Sequence, residues 1–397
     1  MIEKDFSRAL ELIDSNLCQI RKKVSNRDFD PNKVAEIEVN DFYYEGKTVP
    51  RIMVVLRATG CQHYNDHQGC SMCGHYEGTT SIPVTVESYL KQWQSVLDGI
   101  VEDKNGVNFN LNDFPILCIY NLGSFLNPKE IPLEASRAIF SSLNDYPGIK
   151  KVIIESRAEY INPESLKNIR DVYHGTIEVG IGLESKNYTV RELCHHKNMP
   201  DLNEFTRSIK CLHDYGFKAL AYVNQKPPFL TEKEAIIDAS ETSIYAFNQG
   251  VDAVSIEPTS IQSNSLTDLL TKRDEYRVPW LWSVIEVVRG IYDHFGNNDK
   301  MDLRIGGYFD ETVLSGSQGV ASGVERNEIF PYTTSGNCPD CNPRIIEAIK
   351  EFNRTYDPEI LYSQKKCDHC YSQWEKEVAQ EEKRTIPQRI INILDIV

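Results

Sequence analysis

The sequence has 397 residues, 41% of them hydrophobic, which supports a large folded core and excludes a disordered chain. Its formal net charge of −15 opposes nucleic-acid binding by the molecule as a whole, so an RNA substrate would require a local basic patch. We expect a cytoplasmic protein without a membrane span, because the charged start MIEKDFSRALELIDSNL does not resemble a signal peptide and long apolar stretches are absent.

Strands and helices alternate from residue 50 onward. Apolar segments predict strands at 50–58, 115–123, 150–157, 176–185, 217–226 and 251–260, and helices at 86–101, 130–143, 163–173, 201–216, 231–250 and 279–295. Short apolar strands that alternate with helices are typical of a parallel α/β sheet covered by helices. The pattern fits a doubly wound sheet or a partial (β/α)6 TIM-type barrel, and periodicity alone does not separate the two.

Changes in composition predict three regions. Residues 1–49 are expected to form an N-terminal helical extension, and residues 50–300 the α/β core. Residues 301–397 are expected to form a C-terminal extension, in which the Gly- and Ser-rich segment 304–327 predicts a loop or a lid over the barrel mouth and a cysteine-rich part binds metal.

The loop after the first predicted strand carries Cys61, Cys70 and Cys73, with three histidines nearby. These cysteines and one histidine could bind zinc, which takes four ligands. Alternatively, three cysteines could hold a 4Fe–4S cluster and leave one iron open to a ligand. The position of the loop at the mouth of the sheet, where α/β enzymes keep their active sites, favours the cluster.

A second cysteine set lies near the end of the sequence. Cys338 and Cys341 form one C-x2-C pair, and Cys367 and Cys370 form another. Two such pairs predict a tetrahedral thiolate site, for which a structural zinc is the first interpretation and an auxiliary 4Fe–4S cluster the second. Because metal binding and folding are coupled, loss of this metal should unfold the C-terminal region first.

Several segments in chain order carry a resemblance to a known family. They are GCQHYNDHQGCSMCGHY, LGSFLNPKEIP, VIIESRAEYI, VGIGLES, KPPFLTEKEAI, EYRVPWLWSVIEV and the closing CPDC…CDHC…W. Together they resemble the radical S-adenosylmethionine (SAM) subunit of archaeosine synthase, and the CX8CX2C spacing is similar to the elongator-type branch of that superfamily. The resemblance implies a partial barrel with a 4Fe–4S cluster that binds SAM and cleaves it to a 5′-deoxyadenosyl radical.

The same resemblance implies a substrate and partners. In that family a partner enzyme attaches lysine to a 7-deazaguanine base in tRNA, and the radical enzyme cleaves a C–N bond to leave the archaeosine amidine. A reductant such as ferredoxin or flavodoxin would supply the electron. Departures from the family pattern, such as Glu257 in IEPTSIQ and the HHKNM segment, lie in the substrate half of the barrel. A small amine, amino acid or peptide is therefore the alternative substrate.

Residue roles follow from the matched motifs. Gly123 and Ser124 match the turn that receives the SAM amino group, and Arg157 is expected to pair with the SAM carboxylate. The acidic residues and one lysine at later strand ends are expected to hold SAM or substrate; these are Glu155, Glu184, Lys226 and Glu257. The loop with His195, His196 and Lys197 is expected to be an exposed polar loop.

Overall fold

Strands and amphipathic helices alternate as the sequence pattern predicts. The computed structural model describes residues 2–24, 27–99, 108–296, 301–308, 312–315 and 335–395. Its strands are β1 (Glu36–Tyr44), β2 (Lys47–Val55), β3 (Ile116–Tyr120), β4 (Lys151–Ser156), β5 (Thr176–Gly182), β6 (Lys218–Gln225), β7 (Ala253–Pro258), β8 (Asp302–Ile305) and β9 (Thr312–Ser315). Its helices are α1 (Ile2–Arg21), α2 (Gln62–His67), α3 (Val86–Leu97), α4 (Leu133–Ser142), α5 (Pro163–Arg170), α6 (Asn203–Asp214), α7 (Glu232–Asn248), α8 (Leu266–Thr271), α9 (Leu281–Phe295), α10 (Asn342–Thr355), α11 (Glu359–Tyr362), α12 (Cys370–Val378) and α13 (Ile386–Leu394).

The strand order resolves the choice between the two α/β architectures. The sheet runs β8-β7-β6-β5-β4-β3-β2-β1-β9, and all neighbours from β2 to β8 are parallel. A doubly wound sheet reverses its strand order at a switch point, whereas a barrel adds each strand beside the previous one. The sequential order confirms the predicted partial barrel of six strand–helix units, to which β8 adds a further parallel strand.

Side chains that meet across the inner face show that the sheet is strongly curved. Arg304 on β8 donates to Glu178 on β5 at 2.7 Å, and its guanidinium lies 4.9 Å from the ring centre of Phe42 on β1. Neighbouring strands are about 4.8 Å apart, so β1 and β8 would be separated by roughly 34 Å in a flat sheet. Lys151 on β4 also binds Glu178, at 2.5 Å. The base of the barrel is therefore a buried ion network.

Strands outside the six predicted units correct the expected layout of the two extensions. Residues 1–49 were expected to be helical, and α1 is, but β1 lies in the same region and pairs with β2 along its whole length. β8 (Asp302–Ile305) overlaps the start of the segment 304–327 and β9 (Thr312–Ser315) lies within it, so these parts are strands of the sheet rather than loop or lid. Residues 309–311 and 316–327 of the same segment lie outside the described residues. The three domain boundaries stay predictions.

The first and last helices pack together beside the barrel. Leu12, Ile13 and Leu17 of α1 share a buried cluster with Ile390 and Leu394 of α13. A 2.5 Å ion pair between Arg8 and Asp395 joins the same helices at the surface. Among the described helices, none is both long and apolar enough to cross a lipid bilayer.

Candidate functional site

The cysteine loop follows β2 and lies at the C-terminal edge of the parallel strands. Cys61 precedes the short helix α2, and Gln68, which follows its last residue, has a left-handed φ of 65°. This turn brings the chain back so that Cys70 and Cys73 follow within one loop. The sequence thus presents its three thiols from one compact segment at the edge of the sheet where an active site is expected.

Gly123 allows the loop between β3 and α4 to approach the cysteine loop closely. A Cβ atom at Gly123 would lie 2.1 Å from Oε2 of Glu130 and 3.1 Å from Cα of Cys61. The buried carboxylate of Glu130 accepts from the backbone N–H groups of Ser124 at 2.5 Å and Gln62 at 2.9 Å. Glu130 therefore ties the predicted SAM turn to the start of α2. The sequence reading missed this residue because a glutamate in a polar loop carries no distinctive pattern.

The sulfur spacing distinguishes the first cysteine set from the second. Among the described residues, the metal-ligating groups that all lie within 4.8 Å of one another are Cys338, Cys341, Cys367 and Cys370. Cys61, Cys70 and Cys73 form no such set, with or without the nearby histidines. A single tetrahedral zinc with 2.3 Å bonds would hold its sulfurs about 3.8 Å apart. The donor set of the first loop fits a different group, because three thiolates leave one iron of a 4Fe–4S cluster without a protein ligand.

The loop with His195, His196 and Lys197 is buried, which corrects the expectation of an exposed polar loop. Arg157 holds this loop: its guanidinium donates to the carbonyl oxygens of Lys197 at 2.9 Å and Asn198 at 3.0 Å, and it also pairs with Glu159. The predicted contact between Arg157 and the SAM carboxylate stays a prediction. What the structure shows is that Arg157 fastens the loop over the cysteines.

Three glutamates gather at the mouth of the barrel. Glu184 accepts from the ammonium of Lys197 at 2.8 Å, and Glu155 accepts from the hydroxyl of Tyr222 at 3.1 Å. Burial, followed by the nearby charge of Glu184, raises the pKa of both Glu155 and Glu257 to about 7. The predicted residues Glu155, Glu184 and Glu257 are therefore close enough to interact electrostatically. Lys197 and, at Glu257, the charge of Arg51 partly offset these three carboxylates, which could bind a further cation.

Lys226 is directed away from this group. Its backbone has a left-handed φ of 60°, and its ammonium donates to Glu232 on α7 at 2.6 Å. Glu232 also accepts from Ser283 at 2.5 Å, and Ser283 accepts from the indole of Trp374 at 2.8 Å. The structure thus places the predicted substrate lysine in a buried network that connects the barrel to α12 in the C-terminal region.

The four cysteines of the C-terminal region come together as the sequence predicts. The sulfurs of Cys338 and Cys367 are 3.9 Å apart, and those of Cys341 and Cys370 are 3.7 Å apart. The indole of Trp282 on α9 donates to the sulfur of Cys370 at 3.4 Å. This geometry could hold one metal ion and attach the extension to the barrel.

Comparison with known proteins shows similarity along most of the chain, although no family model matches. Archaeosine synthase subunit beta of Thermococcus kodakarensis is 30% identical over 332 residues, which cover 83% of this chain and 92% of that protein. An uncharacterized protein of Methanocaldococcus jannaschii is 27% identical over 384 residues, which cover 95% and 97% of the two chains. The solved queuine lyase from Clostridium spiroforme, bound to SAM and queuine, has a TM-score of 0.42 and 20% identity, and the match covers 68% of this chain and 95% of that chain.

Proposed function

Because the chain belongs to the archaeosine synthase subunit beta family of radical SAM enzymes, we propose that Cys61, Cys70 and Cys73 hold a 4Fe–4S cluster. When bound, such a cluster supplies the electron that cleaves SAM to methionine and a 5′-deoxyadenosyl radical. The three thiols of this one loop support a cluster with an open iron over a structural zinc, which takes four protein ligands. The close approach at Gly123 supports a SAM site formed by the turn of Gly123 and Ser124 against the cysteine loop.

The group of three glutamates at the barrel mouth is the main support for the substrate class that we propose. Glu155 and Glu257 are partly protonated near neutral pH because burial, and then the charge of the neighbouring carboxylates, raises their pKa to about 7 and makes their ionisation costly. A substrate ammonium group between them would remove that cost and bind as an ion pair. We infer that the enzyme acts on an amine-bearing substrate, with Glu184 and Glu257 in direct contact with it and Glu155 in contact with SAM or substrate.

The reaction that we propose is C–N bond cleavage. Hydrogen abstraction near the C–N bond would leave a carbon-centred radical, from which the bond breaks with a lower barrier than by heterolysis. A lysine-modified 7-deazaguanine in tRNA is the first candidate substrate, because it combines the amine with the reaction implied by the family. It would be prepared by a partner enzyme, in a cytoplasmic pathway that also supplies a reductant such as ferredoxin or flavodoxin.

A specific observation favours a second candidate, a small amine, amino acid or peptide. The net charge of −15 opposes the approach of an RNA backbone. The two candidates differ in salt dependence: tRNA binding should weaken steeply as salt rises because counterions are released, whereas the binding of a small amine should change much less. Titration of both ligand classes at two ionic strengths therefore separates them.

For the C-terminal cysteines we propose a structural zinc. The sulfur–sulfur distances of 3.9 and 3.7 Å match the edge of a tetrahedron of thiolates around one zinc, about 3.8 Å. An auxiliary 4Fe–4S cluster would need its four sulfurs farther apart, because each would bind a separate iron. The site would then support folding rather than electron transfer.

Metal analysis and product formation test these assignments together. The protein is purified and reconstituted without oxygen, and iron, sulfide and zinc are counted in the wild type and in a Cys61→Ala/Cys70→Ala/Cys73→Ala variant. We expect about four irons and one zinc in the wild type, loss of the iron alone in the variant, and 5′-deoxyadenosine from SAM and dithionite only in the wild type. Zinc in both proteins with no iron and no 5′-deoxyadenosine would refute the proposed function. Iron retained at the second cysteine set would refute the zinc assignment alone.

A further inference from the structure

Arg21, in the last turn of α1, reaches into the cysteine loop and is only 8% exposed. Its guanidinium donates to the carbonyl oxygens of Cys70 and Cys73, both at 3.2 Å, and to that of Gln68 at 3.0 Å. The side chain therefore contacts the backbone of two proposed cluster ligands directly. No pattern in the sequence marks it, because α1 lies in the region that was predicted to be a separate extension.

The same guanidinium binds groups on either side of the loop. It donates to the hydroxyl of Tyr76 at 2.7 Å and to the carbonyl oxygen of Asn264, in the segment after β7, and its centre lies 4.2 Å from the Tyr76 ring. A planar guanidinium can hold several acceptors in fixed directions, whereas a lysine ammonium cannot hold them in the same geometry. Arg21 thus joins α1, the cysteine loop and the β7–α8 segment through one buried charge.

A second contact from α1 supports the same stretch of the loop. Asp14 lies 2.8 Å from Nε2 of His196, and Nδ1 of the same ring lies 2.8 Å from the carbonyl oxygen of Gly69. Gly69 directly precedes Cys70. The helix therefore supports the backbone of residues 68–73 twice, once directly through Arg21 and once through the buried histidine.

We propose that Arg21 is a positioning residue, which holds the loop of Cys70 and Cys73 in the conformation that binds the cluster and whose positive charge stabilises the reduced cluster. The inference rests on the proposed function, because it assumes that these cysteines carry the cluster. Partners beyond the direct ligands orient those ligands and set the electrostatic environment of the metal. Arg21→Lys keeps the positive charge but loses the guanidinium geometry, whereas Arg21→Gln loses both. Comparison of the two variants therefore separates the positioning of the loop from the effect of charge on the reduced cluster.

The test measures iron release and cluster potential rather than turnover. Wild type, Arg21→Lys, Arg21→Gln and the control Arg8→Gln are reconstituted without oxygen, and iron transfer to a chelator is followed by absorbance. Arg8 lies on the same helix but about 20 Å from Arg21 along its axis, and it pairs with Asp395 at the surface. We expect both Arg21 variants to release iron roughly tenfold faster or more, and Arg8→Gln to match the wild type.

The midpoint reduction potential of the cluster is the second quantity measured. Arg21→Gln should be harder to reduce than wild type, and Arg21→Lys should keep a midpoint close to wild type because the charge is retained. Circular dichroism of the metal-free proteins shows whether the variants fold; if Arg21→Gln does not, Arg21→Lys still tests the positioning role. Iron-loaded wild type and Arg21 variants with equal release rates would overturn this inference alone. A wild type that binds no iron would overturn the proposed function and this inference with it.

Discussion

The substitution Glu257→Gln should stabilise the protein at alkaline pH and not at acid pH. Glu257 accepts from the hydroxyl of Ser255 at 2.6 Å, and its second oxygen occupies space that Gly306 leaves open. Glutamine has the same shape and can keep the Ser255 contact through its amide oxygen. The substitution therefore removes the charge with little change in packing.

The magnitude follows from the pKa of Glu257. Burial, then the charges of Glu184 and Glu155, raises this pKa from 4.5 to about 7. At about 1.4 kcal/mol per pH unit, ionisation of this residue costs the folded state about 3 kcal/mol. Because the folded-state pKa is the higher one, this cost is absent below pH 4.5 and grows as the pH rises to about 7. Glu257→Gln should gain about 3 kcal/mol at pH 8.5 and less than about 1 kcal/mol at pH 5.

The assay is equilibrium unfolding in urea, followed by tryptophan fluorescence, with wild type and variant matched for metal content. Glu381→Gln, an exposed glutamate before α13, is the control and should have no effect at either pH. An equal gain for Glu257→Gln at both pH values would show that the effect comes from packing. No gain at pH 8.5 would refute the reasoning that the three glutamates repel one another in the free enzyme, and with it the argument for a cationic substrate.

Three further substitutions test buried charges and the metal site. Lys226→Met leaves Glu232 buried without its cation and should lower the free energy of unfolding by about 3–5 kcal/mol, whereas the double variant with Glu232→Gln should recover part of it; a loss below about 1 kcal/mol would contradict the network. Glu178→Gln leaves Lys151 without its anion at the barrel base and Arg304 with Asp302 alone, and the same urea assay should show a comparable loss; wild-type stability would argue against the ion network. Cys367→Ser should reduce bound zinc and expose the C-terminal region to limited proteolysis before the barrel; unchanged zinc content would count against a four-thiolate site.

The six predicted strand–helix units are present because short apolar strands and amphipathic helices carry a strong local pattern. The choice of a barrel over a doubly wound sheet depends on strand order, which is a long-range property and leaves no trace in periodicity. β1 was missed for a related reason: the alternation of polar and apolar residues in EIEVNDFYY breaks at Asn40 and Asp41, and its role as an antiparallel strand depends on pairing with β2 and β9.

Side-chain direction explains the mixed outcome at the candidate site. Glu155 and Glu257 reach the barrel mouth from strand ends, as expected for residues of that position. Lys226 follows a strand end too, but its left-handed backbone and the acceptor Glu232 direct its ammonium elsewhere. The histidines at 195 and 196 were expected to be exposed because they are polar, yet they are buried in a loop that Arg157 holds. Such contacts arise between distant segments, so local sequence could not reveal them.

The packing of α1 against α13 has a consequence for the order of folding. The ion pair of these helices joins residues 387 positions apart, and their apolar cluster spans a similar separation. During synthesis the cysteine loop and the barrel strands emerge well before α13, so the helix that carries Arg21 lacks its packing partner until then. Cluster insertion should therefore be a late event, and nascent chains that end before α13 should retain iron poorly even though all three cysteines are already present.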